Sequence, residues 1–204
     1  MAFIKRIWRW SVTPSNKPVG LFIGSGLLAG VVLFLGFHFI FMKGTSSISL
    51  CISCHEMDGV YQEYTESVHY KNASGVRARC ADCHVPHGDN IGDYYDMFMD
   101  KVLVGGRHFY HHVIGTYPDK AAFEKSRYRL AQNVLNHMRE RDSKECRQCH
   151  SYESMAFLDQ DKSASRKHTK MSEGGDKTCV DCHSGIAHEE PEEPDESEKS
   201  DEAS

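Results

Sequence analysis

The sequence predicts a mainly α, loop-rich chain: an N-terminal transmembrane helix, then a compact domain built from two related halves. Three observations carry this. Val19 to Met42 is a run of 24 residues without Lys, Arg, Asp or Glu. Cys-x-x-Cys-His occurs four times, at Cys51–His55, Cys80–His84, Cys146–His150 and Cys179–His183. A histidine stands fifteen residues before the closing histidine of both the second and the fourth motif.

The apolar run is long enough to cross a bilayer as a tilted helix. A cleavable signal peptide would have a shorter apolar region ending in a small-x-small site, so an uncleaved signal-anchor over residues 19–42 is expected. Residues 1–18 hold Lys5, Arg6, Arg9 and Lys17 and no acid, a charge of +4. Positive residues before the span place the N-terminus in the cytoplasm and everything after Lys43 outside, on the periplasmic face of a bacterial inner membrane. Trp8 and Trp10 suit an interfacial belt. Gly20-x-x-x-Gly24 and Gly26-x-x-x-Gly30 fit close helix–helix contact and a homodimer, although glycines are also common in membrane helices. His38 lies near the outer end of the span, either at the interface or facing a quinone.

Each Cys-x-x-Cys-His reads as a covalent c-type haem attachment. The cysteine pairs Cys51 and Cys54, Cys80 and Cys83, Cys146 and Cys149, and Cys179 and Cys182 supply thioethers, and the adjacent histidine an iron ligand. The motifs use all eight cysteines and leave none for a disulfide. Zinc or redox Cys-x-x-Cys pairs would not explain a histidine after every pair. Histidine fills 13 of 204 positions, so four such placements by chance have odds on the order of one in 10⁵. With four haems in so short a chain, much of the apolar interior is expected to be porphyrin. The expected organisation is a cytoplasmic segment 1–18, the anchor 19–42, a tetrahaem domain 43–188 and an acidic tail 189–204. The tail carries nine acids and one lysine and is expected to be disordered. No basic patch interleaves with aromatics, so a nucleic-acid partner is not expected.

The domain resembles two di-haem halves. The stretch HYKNASGVRARCADCH from His69 and HTKMSEGGDKTCVDCH from His168 share the first histidine, Lys71 with Lys170, Gly75 with Gly174, and the Cys-x-Asp-Cys-His core. His69 and His168 are therefore expected as distal iron ligands. Exchange between halves would send His69 to the fourth haem and His168 to the second, with His188 serving the third. The first haem would take its distal group from the segment holding Lys101, His108, His111 and His112. The first motif runs on as Cys51-Ile-Ser-Cys-His55-Glu-Met57, so either His55 or Met57 can be its proximal ligand. His84, His150 and His183 serve the other three. Ile91 to Val113 and Ala121 to Arg141 are read as helices, the latter amphipathic through Phe123, Leu130, Val134, Leu135 and Met138.

The anchor together with CISCHEM, SVHYKNASGVRARCADCHVPH, ECRQCHSYESM and CVDCHSGIAH resembles the NapC/NirT family, membrane-anchored tetrahaem cytochromes c that oxidise quinol and reduce periplasmic partners. The resemblance implies four haem c groups, Met57 as proximal ligand of the first, and the exchanged ligation of His69, His168 and His188. It also implies a quinol site beside the first haem, with the family's lysine at Lys101. The family's acidic position falls on His108, with Asp96 and Asp100 nearby. The acidic tail lies outside the family pattern.

Only eight residues separate Met42 from Cys51, which makes the first haem the electron entry. Quinol releases two protons with its two electrons, so the pocket needs a proton acceptor and a group that orients the ring oxygen. Lys101 and His108, seven apart on one helix face, fit orientation and proton acceptance respectively. His111 is the reserve, and His87 and His137 are read as peripheral. The expected activity is a quinol dehydrogenase that takes electrons from menaquinol or ubiquinol and passes them to a periplasmic terminal reductase, nitrate reductase first among them. The alternatives are a nitrite-type oxyanion reductase subunit and a structural haem subunit. No Cys-x-x-Cys-Lys motif is present to favour the reductase.

Overall fold

The computed structural model describes residues 3, 5, 6, 8, 9 and 19–195. Trp10, Lys17 and the tail beyond residue 195 therefore lie outside the described residues. Contacts along the chain divide it into two compact units, residues 1–43 and 44–204.

The first unit is dominated by α1, Val19–Gly44, with a mean hydropathy of 2.3 over its most apolar window and no side chain buried within the protein. An apolar helix of this length with no buried side chain is suited to lipid. Phe34 stacks on His38, and Phe37 on Phe41, one turn apart.

The second unit is helical and loop-rich, with no strand among the described residues. Its helices are α2 (Ile48–Cys51), α3 (Asp58–Glu66), α4 (Cys80–His84), α5 (Ile91–Val113), α6 (Lys120–Glu140), α7 (Lys144–Arg147) and α8 (Lys162–Ser172). The expected helix over 91–113 has the bounds of α5, and the expected 121–141 helix is displaced by one residue in α6. Side chains fix the starts of the longer helices. Asn90 accepts from Asp93 N, Asp119 from Ala122 N, and Asp161 from Ser163 N and Ala164 N. Each bond satisfies an otherwise orphaned first-turn donor.

The polypeptide builds little core of its own. Among the described residues the buried hydrophobics are Tyr64, Ala81, Phe123 and Val180, with Pro86 also enclosed. This suits a domain whose interior is shared with prosthetic groups. Tyr64 donates its hydroxyl to the Ala78 carbonyl and meets Tyr70 edge-on.

The two halves repeat in structure as well as in sequence. Gly75 and Gly174 both have positive φ, +72° and +98°, conformations that tolerate no side chain cheaply. Beyond each, the aspartate inside the motif accepts from the backbone N–H of the residue that precedes the motif turn. Arg79 N donates to Asp82 Oδ2 at 2.8 Å, and Thr178 N to Asp181 Oδ2 at 2.7 Å. An arginine braces each carboxylate, Arg79 to Asp82 at 2.7 Å and Arg139 to Asp181 at 2.8 Å. The shared Cys-x-Asp-Cys-His core is thus a local folding device: the aspartate starts the turn that holds the cysteines and histidine together.

Candidate haem and quinol sites

All eight cysteines are free of disulfides. α4, which carries the second motif, packs against both α2 at the first motif and α7 at the third, while α6 packs against the 3₁₀ turn Cys179–Asp181 of the fourth. Cys51 lies beside Cys80 and Cys146 beside Cys179. Cys83 lies near Cys149. The motifs therefore form a row in chain order: first beside second, second beside third, third beside fourth. The turn before the third motif is unusual, with Asp142 and Ser143 both at positive φ. Ser143 is fully buried, and its Oγ accepts from Val180 N at 3.3 Å, fastening the third motif to the fourth.

Three motif histidines each face a second histidine. Ring centres lie 6.1 Å apart for His84 and His188, 6.3 Å for His150 and His69, and 5.9 Å for His183 and His168. Two imidazoles sharing one metal, each with its nitrogen about 2 Å away and its ring centre about 1 Å further back, would have centres about 6 Å apart. The residues present thus fit bis-histidine ligation at the second, third and fourth motifs.

The partners differ from the exchange expected from sequence. His69 reaches the third motif, not the fourth. His168 stays with the fourth motif in its own half. His188 reaches the second motif, not the third. The fifteen-residue spacing is the same in both halves, so the difference lies in packing between segments: His168 on α8 folds back onto the fourth motif, whereas the turn after α3 leads His69 across to the third. The C-terminal segment runs back over α3, which carries His188 to the second.

Two of the three non-motif histidines are oriented by oxygen acceptors. His168 Nδ1 lies 2.6 Å from Gln160 Oε1, and His188 Nδ1 lies 3.0 Å from the Val60 carbonyl. An acceptor on Nδ1 fixes the proton there and leaves the Nε2 lone pair for a metal. His69 Nδ1 is buried without a protein partner. Solvent reaches part of the His84 ring, yet the protein packed around it desolvates it. That desolvation, with the charges of His188 and His108, brings its pKa down to about 4. Burial likewise lowers the pKa of His188. Both rings are neutral near pH 7, as a metal-ligating imidazole must be.

The first motif is built differently. His55 and His112 have ring centres 5.6 Å apart, but a carboxylate stands between them. Glu56 Oε1 is 3.7 Å from His55 Nε2 and 2.9 Å from His112 Nδ1. Burial raises the Glu56 pKa, but the hydrogen bond with His112, its own backbone and the two histidine charges outweigh it and lower the pKa overall. Met57 is half-buried one residue before α3. Glu56 was not singled out by sequence reasoning, and His112 was one of four candidates in its segment. The triad joins Glu56 to a histidine 56 residues away, and only His55 of its three members lies inside a motif.

Lys101 and His108 share one face of α5, two turns or about 10 Å apart. Lys101 Nζ donates to Thr45 Oγ1 at 3.0 Å and to Ser46 Oγ at 2.8 Å. Burial lowers its pKa, and the nearby Cys51 sulfur partly offsets this. The offset vanishes when that sulfur is a neutral thioether. His108 keeps solvent contact, but surrounding protein desolvates it, and with the Arg107 and His111 charges this lowers its pKa. The neighbouring acids are engaged elsewhere: Asp96 lies 3.6 Å from Arg141, and Asp100 3.7 Å from His137. His137, expected to be peripheral, is thus a partner of α5. His111 meets Thr116 at 2.9 Å, and His87 lies against the Val85 carbonyl.

The chain is similar to known proteins over most of its length. The family model described as "NapC/NirT cytochrome c family, N-terminal region" matches residues 13–193. The cytochrome c-type protein NapC of Escherichia coli is 41% identical over 189 residues, 92% of this chain and 90% of that protein. The denitrification system component NirT of Stutzerimonas stutzeri is 42% identical, over 82% of this chain and 80% of its own. A putative tetraheme cytochrome c of Allochromatium vinosum is 40% identical, over 86% and 91%. No solved structure matches. With four haem-attachment motifs, an apolar anchor and this likeness over most of its length, the chain belongs to the NapC/NirT cytochrome c family of membrane-anchored, electron-transferring c-type cytochromes.

Proposed function

We propose that this protein is a quinol dehydrogenase. It carries four haem c groups on the periplasmic side of the inner membrane, oxidises menaquinol or ubiquinol, and delivers the electrons to a periplasmic terminal reductase, with nitrate reductase the leading candidate. In this reading residues 1–18 are cytoplasmic, 19–42 form the anchor and 43–188 form the haem domain. When bound, each haem c accepts and passes on one electron at a time.

One observation carries the reading most of all. A half-buried lysine with a lowered pKa sits beside the first motif and is tied to Thr45 and Ser46, immediately after the apolar helix. Lys101 can donate to a quinol oxygen at the point where a membrane-soluble substrate would meet the haem domain. His108, neutral near pH 7, is the proton acceptor on the same helix face. Acid–base groups are needed at this end because quinol oxidation releases two protons with its two electrons, whereas later transfers move electrons alone.

Met57 is assigned as proximal ligand of the first iron. The supporting feature is Glu56, whose carboxylate already occupies the approach to His55 Nε2 and holds that ring in a polar triad with His112. His84 with His188, His150 with His69, and His183 with His168 close the other three irons. Closed irons favour electron transfer over an oxyanion reductase, which needs an open coordination position.

The test is Lys101→Ala in membranes. Quinol-driven haem reduction should slow at least about tenfold, the scale of losing one positioned proton-handling group. Dithionite should still reduce every haem. Normal steady-state quinol oxidation in both Lys101→Ala and His108→Ala would overturn the site and direct attention to His111 and His38.

A further inference from the structure

α5 has two unlike faces. One turns to the first motif: Lys101 is bonded to Thr45 and Ser46, and His112 to Glu56. The other is apolar and open to solvent. Val102, Phe109 and Val113 fall at i, i+7 and i+11 along one stripe, flanked by Leu103, Tyr110 and Ile114. All six are exposed, Phe109 by 68% and Val113 by 64%. A helix face meant for water would be polar, and a contiguous apolar surface of this kind marks an interaction site.

Two further features indicate the occupant. Residues 102–114 contain no Asp or Glu in a chain with 29 of them, so nothing on this stretch repels an anionic surface. Lys101, next to the first residue of the stripe, reaches Thr45 and Ser46, the first two residues after α1 ends at Gly44. The stripe therefore begins within one side-chain length of the residues that follow the apolar helix in the chain. Tyr110 and Arg107 suit the headgroup region, where an amphipathic ring or a long cationic side chain keeps one end wet.

We infer that the 102–114 face of α5 lies on the outer surface of the bilayer, with its apolar side chains inserted among the lipids. The anchor then ties the domain to the membrane, and α5 sets which way the domain faces. A helix whose apolar side enters the acyl boundary while the opposite side carries chemistry is an interfacial helix in the ordinary physical sense. The inference rests on the membrane anchor and the bare apolar face of α5, and stands whether or not Lys101 acts on quinol.

The experiment uses the full-length holoprotein in nanodiscs of phosphatidylethanolamine and phosphatidylglycerol. A photoreactive benzoylphenylalanine replaces Phe109, and in a second variant Val113. A third variant carries it at Leu158, a side chain 98% exposed on the 3₁₀ turn Phe157–Asp159. On irradiation, positions 109 and 113 should form phospholipid adducts, read by mass, in yields about tenfold above position 158. Equal lipid yields at 109, 113 and 158 would overturn the inference. So would capture of a second copy of the chain or of another protein at 109 and 113 in place of lipid. The Val113 variant decides the matter if the bulky group at 109 prevents assembly.

Discussion

Replacing Arg127 with alanine should open the second haem without touching any residue that binds it. Arg127, on α6, meets Glu63 of α3 fork to fork: Nη1 donates to Oε1 at 2.6 Å, and Nη2 donates closely to Oε2. The same Nη2 donates to the Glu189 carbonyl at 3.1 Å, and Glu189 N returns a bond to Glu63 Oε2 at 3.0 Å. The ring of the adjacent His188 is held at the Val60 carbonyl, one turn back on α3. The C-terminal segment that brings His188 to the second motif is thus clamped at that residue and at the next. The side chains of Arg127 and Glu63 are only 12% and 20% exposed. Removing one member of a buried pair costs about 3–5 kcal/mol. Water can re-enter here and the Glu189 N–H still serves Glu63, so about 2–3 kcal/mol is the appropriate figure. If that energy falls on the clamp, the population with His188 withdrawn rises about 30- to 150-fold. The readout is carbon monoxide binding to the dithionite-reduced protein together with a high-spin band from one haem in four. Arg127→Lys, which keeps the charge but loses the fork, should lie between the two. As a control, Arg147→Ala breaks an ion pair with Asp142 away from His188 and should leave the second haem closed. Reduced thermal stability of Arg127→Ala with no carbon monoxide binding and unchanged spectra would refute the positioning argument and leave a purely structural pair.

Three more outcomes are expected. Met57→Leu should perturb the first haem alone and lower its midpoint potential, because a neutral thioether favours the reduced iron; four unchanged potentials in a redox titration would assign that iron to His55. His168→Ala should open the fourth haem and His69→Ala the third, resolved by magnetic circular dichroism with site-specific assignment; opening of the second haem by His168→Ala would restore the exchanged scheme. Quinol oxidation should follow a bell in pH. Its acid limb should fall below the ordinary histidine value of about 6.5, because His108 must be neutral to accept a proton and its pKa is lowered, and its alkaline limb below about 10.4, because Lys101 must be charged and its pKa is lowered too. A flat profile across both limbs would separate these residues from the rate-limiting proton step.

Asp82 and Asp181 show how far a short motif reaches on its own. Their pKa values are lowered: burial opposes this for Asp82, but bonds with Arg79 and its backbone N–H overcome it, while Arg139 is the main cause for Asp181. Groups depressed in this way stabilise the fold above their unfolded pKa and lose that contribution as pH falls through the folded value, so the two motif turns are coupled to acid stability. The Arg139 brace, 42 residues from Asp181, could not be read from the repeated Cys-x-Asp-Cys-His. The backbone bonds that each aspartate accepts are local and could be read from it. So could the haem attachments, the apolar span, the matched Gly75 and Gly174, and the bounds of α5 and α6, because each depends on residues within one or two turns of each other.

Which histidine meets which motif could not be read in this way. His188 reaches the second motif and not the third because the segment around it is clamped to Glu63 and Arg127, more than 60 residues away in sequence. The Glu56 carboxylate between His55 and His112 likewise depends on α5 returning to the first motif. Spacing constrains how far a chain can reach, but many folds satisfy the same spacing. The sequence by itself determined the chemistry that this chain can hold and the membrane it is fixed to, since covalent motifs and apolar length act locally. The tertiary structure alone decided the order of the motifs in space, the partner of each imidazole and the face of α5 left bare, since those follow from ion pairs and packing between segments that no local pattern connects.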